Sequence, residues 1–222
     1  EDLSKSKAMI TQLMSEKDLP EDVKAGCTYY LGLIALREKD IPSVKKNLEE
    51  LTTKYQGNVY VPLGRMTLGD IYLKENNFKI AAENYKKASE AAASDAELMA
   101  KADLGTADAY YLGGDYAASA GAYKKLMDVA KEGMMFDQGA IGYLLSLYRS
   151  GKYSQISAET DAIVSRVKDP NIKGECFLML GNSLFQENKM DDAAKIYKNV
   201  SEAYKGMSSS GKAVINLCWI SL

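Results

Sequence analysis

The sequence predicts an all-α chain built as a helix–turn–helix repeat solenoid, with about five full repeats and a half repeat at each end. Three observations predict it. Ile41, Phe78, Tyr116, Tyr153 and Met190 recur at spacings of 37, 38, 37 and 37 residues, and a fixed period of roughly 20–50 residues marks a repeat architecture. Two residues before each of them stand Lys39, Asn76, Gly114, Gly151 and Asn188. Four of these five are Gly or Asn, which most readily adopt the left-handed conformation that ends a helix. Between the marks, apolar residues fall three and four apart, the spacing of a single helix face.

The elements follow in order. Residues 1–18 carry Leu3, Ile10, Leu13 and Met14 on one face and read as the second helix of a partial repeat. Full repeats are expected at 25–61, 62–99, 100–136, 137–173 and 174–210, and 211–222 reads as a first helix without its second. Each first helix carries a large–small pair or its equivalent: Leu31-Gly32, Leu68-Gly69, Thr106-Ala107, Tyr143-Leu144, Leu180-Gly181 and Leu217-Cys218. Three residues after the small member come Ala35, Tyr72, Tyr110, Leu147 and Leu184. The small residue lets the second helix approach closely. Each second helix carries a face spaced four then three: Val44/Leu48/Leu51, Ala81/Tyr85/Ala88, Ser119/Tyr123/Leu126, Ile156/Thr160/Ile163 and Ala193/Tyr197/Val200. Asp18-Leu19-Pro20-Glu21 and Asp169-Pro170 read as capping residues with a proline at the start of a first helix.

Leu68-Gly69-Asp70-Ile71-Tyr72, followed by Asn77-Phe78, Ala81, Tyr85 and Ala88, makes the best single match to the tetratricopeptide repeat, which the chain resembles over nearly its whole length. The resemblance implies a right-handed superhelix with first helices on the concave face. That family's unit is about 34 residues, so the extra residues should lie in the loops between repeats. Thr28, Arg65, Asp103, Ala140 and Phe177 occupy the places of the family's usual tryptophan. The fourth repeat departs most, with Leu144 in place of the small residue and Thr160 in place of the aromatic, so its packing should differ locally.

Composition excludes several classes. With 28 Lys and Arg against 30 Asp and Glu, the net charge of −2 argues against nucleic acid. No apolar run approaches the roughly 20 residues of a membrane span, so no membrane insertion is expected within this segment. The chain lacks histidine, which removes His-based triads, histidine metal sites and the commonest general base. No catalytic, cofactor-binding or metal-ligating set is expected, and the chain is not read as an enzyme. Cys27, Cys176 and Cys218 show no CxxC spacing and read as small buried apolar residues. Residues 206–213 fit the glycine–lysine spacing of a phosphate loop, but Ala213 replaces its magnesium-binding hydroxyl and a helix precedes where a strand is needed. The segment reads as an inter-repeat loop. Asn199-Val200-Ser201 is a glycosylation sequon inside a predicted helix. The chain opens on Glu1 and ends on Leu217, Trp219, Ile220 and Leu222, which suggests a fragment of a longer array.

By the resemblance, the concave groove would present Tyr29, Leu33, Arg37, Met66, Asp70, Lys74, Asp108, Tyr111, Tyr148, Arg149, Asn182 and Phe185. Two readings stay open. These residues pack between neighbouring helices, or they hold another protein or peptide, with Asp70, Asp108 and Asn182 in equivalent places. Those aspartates would repel the terminal carboxylate held by the family's chaperone-tail clamp. The leading expectation is a non-catalytic interaction scaffold. The long period and tyrosine-rich first helices resemble bacterial cell-envelope members, which favours a periplasmic setting and a polysaccharide-export or assembly system. The alternatives are a ligand- or polysaccharide-binding module, favoured by aromatics clustered in a pocket, and a structural spacer that self-associates through its open ends.

Overall fold

Five short turns organise the structure, a computed structural model that describes residues 3–92 and 95–220. Lys39, Asn76, Gly114, Gly151 and Asn188 all have positive φ, at 61°, 57°, 80°, 73° and 63°. Beside each, the next backbone N–H returns to a carbonyl five residues back: Asp40 to Ala35, Asn77 to Tyr72, Asp115 to Tyr110, Lys152 to Leu147 and Lys189 to Leu184. This is the six-to-one bond of a Schellman ending, which satisfies a carbonyl the helix leaves open. The left-handed residue then turns the chain into the following helix.

The helices are α1 (Leu3–Met14), α2 (Glu21–Arg37), α3 (Ile41–Lys54), α4 (Val61–Lys74), α5 (Phe78–Ala91) and α6 (Ala96–Leu112), then α7 (Tyr116–Ala130), α8 (Met134–Arg149), α9 (Tyr153–Val164), α10 (Pro170–Gln186), α11 (Met190–Ala203) and α12 (Ser208–Ile220). No strand occurs among the described residues. The turns inside the hairpins are three residues throughout, whereas the connection from α3 to α4 takes six and that from α7 to α8 takes three. Asp169 caps α10 by accepting from the Asn171 N–H at 2.8 Å. Asp18 does not cap α2: the helix starts at Glu21, so Pro20 occupies the cap position, and its ring carries no group that can accept a hydrogen bond. Residues 204–207 join α11 to α12, and 208–213 form the first turns of α12 rather than the expected loop; a helix precedes the segment, not the strand a phosphate loop requires.

The chain divides into two compact units, Glu1–Ala102 and Asp103–Leu222. In the first, Val44, Leu48, Leu51, Val61, Leu68 and Ile71 form the buried core. In the second, one cluster gathers around Tyr123, Phe136, Tyr143, Leu144, Leu147 and Ile156, and another around Leu178, Tyr197 and Val200. Each unit is a run of stacked helix hairpins, the arrangement of a helical repeat solenoid.

Large and small residues are matched across each hairpin. A Cβ added at Gly69 would lie 2.6 Å from the Tyr85 ring, one at Gly181 2.6 Å from the Tyr197 ring, and one at Gly32 2.7 Å from Leu48 Cδ2. Backbone therefore meets side chain directly. In α8 and α9 the sizes are exchanged: Leu144 takes the glycine place and Thr160 the tyrosine place, and both are fully buried. The Thr160 hydroxyl donates to the Ile156 carbonyl at 2.7 Å, so burying it leaves no unpaired group. The phenol moves to the other helix, where Tyr143 donates to Glu159 Oε2 at 2.9 Å and accepts from Gln155 Nε2 at 2.8 Å.

Cys27 and Cys176 are buried as expected, but Cys218 is exposed. It shares a face of α12 with Val214, Ile215 and Trp219, which are 49, 58 and 68 % exposed, and no described helix covers that face. Leu217 and Ile220, on the opposite side, pack against the α11 core. Leu222 lies outside the described residues.

Candidate functional site

The tyrosines of the second helices explain the acidic residues of the first. Tyr85 donates to Asp70 Oδ1 at 2.6 Å, Tyr123 donates to Asp108, and Tyr197 donates to Asn182 Oδ1 at 2.9 Å. The partners are 15 residues apart each time. Where the second helix lacks the tyrosine, at Leu48 and Thr160, the first-helix place is apolar, at Leu33 and Leu145. Asp70, Asp108 and Asn182 thus serve the packing of their own hairpins. Burial pushes the Asp108 carboxyl above its ordinary value against the opposing pull of the Tyr123 hydrogen bond. Burial first, then that bond, raises the Tyr123 phenol.

The twelve residues expected to line one groove fall six in each unit. In the first unit, Tyr29 stacks on Tyr60 with ring centroids 5.1 Å apart, and Tyr30 meets both rings edge-on at 5.5 and 5.8 Å. Tyr30 is 48 % exposed and Val59, beside the cluster in sequence, is 76 % exposed. Leu33 and Met66 are half-buried, while Arg37, Asp70 and Lys74 are exposed. In the second unit, Arg149 Nε donates to the Tyr111 hydroxyl at 3.4 Å, and Asp108 is held by Tyr123 as above.

Tyr148, Asn182 and Phe185 come together in a pocket of about 450 Å³, which Gln186, Tyr197, Asn216 and Trp219 complete. Helical spacing puts these side chains on one surface: Asn182, Phe185 and Gln186 follow at i, i+3 and i+4 on α10, and Asn216 and Trp219 at i and i+3 on α12. Tyr148 is steadied by an edge-on contact with Tyr153 at 5.3 Å. Asn182 Oδ1 accepts from Asn216 Nδ2 at 2.9 Å as well as from the Tyr197 hydroxyl, so both its lone pairs are engaged. Burial pushes the Tyr197 phenol up to about 12. Aspartate, glutamate, lysine and arginine are absent from the lining.

Gln186, Asn216 and Trp219 were missed by sequence reasoning. The signal was present: Trp219 stands 37 residues after Asn182, the next equivalent place in the period.

A family model described as tetratricopeptide repeat matches residues 66–128. This part of the chain is similar to tetratricopeptide repeats. Similar structures include BtubC (BKLC) from P. vanneervenii, 13 % identical with a TM-score of 0.58, over 92 % of this chain and 90 % of that one. PilF of Pseudomonas aeruginosa is 11 % identical with a TM-score of 0.53, over 97 % of this chain and 100 % of that one. A Rap protein complexed with Competence and Sporulation Factor is 13 % identical with a TM-score of 0.52, over 99 % of this chain and 66 % of that one. At these identities the likeness is one of fold. No curated protein matches the sequence. Among the described residues, no helix is long and apolar enough to cross a membrane.

Proposed function

We propose that the chain is a non-catalytic scaffold that holds a partner polypeptide, and that the tyrosine cluster of the first unit is a principal contact. The tetratricopeptide-repeat match supports a protein-interaction scaffold in general. The observation that carries the specific surface is the stacked Tyr29–Tyr60 pair with the edge-on, half-exposed Tyr30. Rigid aromatic side chains that keep a hydroxyl in water are the commonest anchors of protein interfaces, because they bury much area while losing little rotamer freedom. Exposed Arg37 and Lys74 would supply the polar surround. The Rap protein in complex with Competence and Sporulation Factor is an example of this fold holding a second molecule.

A photo-crosslinking residue at Val59 tests the surface in an extract of the source organism. One polypeptide is captured at Val59, lost with Tyr30→Ala, and not captured from a control position at Lys198. Equal capture with Tyr30→Ala would remove the cluster from the interface. We further propose a bacterial cell-envelope setting, supported by the period and the tyrosine-rich first helices. Cell fractionation of the source organism that recovers the protein only from cytosol would overturn that setting.

A further inference from the structure

We propose that the pocket of the second unit binds an uncharged saccharide unit of an oligosaccharide or polysaccharide. This goes beyond the partner-holding reading and lies on the other unit, so each reading can fail without the other. The lining combines two features. Tyr148, Phe185 and Trp219 supply aromatic surface, and Trp219 is 68 % exposed, leaving much of its indole surface open. Asn182, Gln186 and Asn216 supply carboxamides, each able to donate and to accept.

The pairing within the pocket fixes what an occupant must bring. Because Asn182 Oδ1 is occupied by Tyr197 and Asn216, the groups of the amide pair left to an occupant are Asn182 Nδ2 and the second N–H of Asn216 Nδ2, donors, and Asn216 Oδ1, an acceptor. An apolar side chain entering here would cover these groups without bonding them, at about 1–3 kcal/mol each. An extended peptide residue presents its N–H and C=O on the same side and so can answer part of this set, but it brings no flat C–H face to the aromatic surface. Neighbouring hydroxyls on a pyranose ring each donate and accept, and they surround flat C–H faces that match an aromatic platform. The absence of ionic side chains from the lining selects a neutral ring over a uronic acid or a phosphate. The volume of about 450 Å³ lies within the range of small-molecule sites, roughly 300–1,000 Å³.

Trp219 is the sole tryptophan of the chain, so selectively excited indole fluorescence reports on this pocket. The test titrates the intact chain with neutral gluco-, galacto-, manno- and N-acetylated oligosaccharides, a uronic-acid oligomer and an uncharged aromatic peptide. The expected result is a saturable change with at least one neutral oligosaccharide. Affinity by calorimetry should fall roughly tenfold or more in Asn216→Ala and in Trp219→Ala, and be largely retained in Trp219→Phe, with all three melting as the parent does. Response to the peptide alone, response to the acidic oligomer alone, or no response to any neutral saccharide at millimolar concentration would each overturn the proposal.

Discussion

Gly142 and Gly121 should respond to alanine with opposite signs. Both lie within helices of the second unit, and in an open helix Gly→Ala stabilises by about 1 kcal/mol. Gly121 is exposed with nothing within 4 Å of an added Cβ, so Gly121→Ala should gain that amount. At Gly142 the added carbon would fall inside the contact radius of Tyr123 Cε1 and Cζ and lie 2.7 Å from Cε2. The ring cannot swing aside, because Tyr123 is 5 % exposed, is packed in the core and donates its hydroxyl to Asp108. Overpacking costs about 1–3 kcal/mol, and a carbon this deep inside the contact radius of an immobile ring falls in the upper part of that range, about 2–3 kcal/mol, which outweighs the helix gain and leaves Gly142→Ala roughly 1–2 kcal/mol less stable. The variants should therefore differ by roughly 2–3 kcal/mol, or about 5–10 °C in Tm at this chain length. Urea titration followed by far-UV circular dichroism, with slopes compared before midpoints, measures the difference. If both alanines raise the midpoint alike, α8 does not rest on Tyr123 and the packing argument is wrong.

Lys39→Gly should stabilise by about 1 kcal/mol, since lysine there holds φ at 61° with a β-carbon that disfavours it; an unchanged urea midpoint would refute this. Asp108→Asn should raise Tm at neutral pH, because the folded carboxyl titrates above its unfolded value and its charge is disfavoured there. As pH falls through the folded value, the parent takes up the proton in the folded state first and regains stability, so the advantage should shrink toward pH 4; an advantage independent of pH would count against it. Asp137 is buried and accepts the Lys168 and Asp169 N–H groups at 3.0 and 2.9 Å. Asp137→Ala should cost about 2–3 kcal/mol by chemical denaturation, and a loss under 0.5 kcal/mol would show the loop anchored elsewhere. A thiol reagent should label exposed Cys218 in the native protein while sparing Cys176, whose thiol burial pushes up to about 12. Equal labelling of the two would contradict the burial pattern.

Local chemistry was the most legible layer. A residue that must turn left after a helix has few choices, so Asn76, Gly114, Gly151 and Asn188 could be read from the chain, and Lys39 followed from the period. Size matching was legible as well, since Gly69 with Tyr85 and Leu144 with Thr160 lie at fixed separations. The role of Asp70 and Asp108 was not. A carboxylate on a first-helix face looks like a ligand contact until its partner, 15 residues away, is seen to reach it. The clue was the joint loss of both at Leu33 with Leu48 and at Leu145 with Thr160. The pocket stayed hidden for a different reason: it needs α12 beside α10, and the groove series was not carried on to Trp219. Cys218 and Asp18 depended on which face is covered and where α2 begins, neither of which periodicity decides.

The contact between Gly142 and Tyr123 crosses from one hairpin to the next, whereas the Asp108–Tyr123 bond stays inside one. The residue 37 after Gly142 is Met179, which follows a helix carrying Thr160 where α7 carries Tyr123. Bulk on the incoming helix thus answers to bulk on the helix before it. Hairpins of nearly equal length are therefore not interchangeable bricks. Swapping α6–α7 with α8–α9 would set Tyr123 against Met179, and the order of the modules is itself encoded in side-chain size.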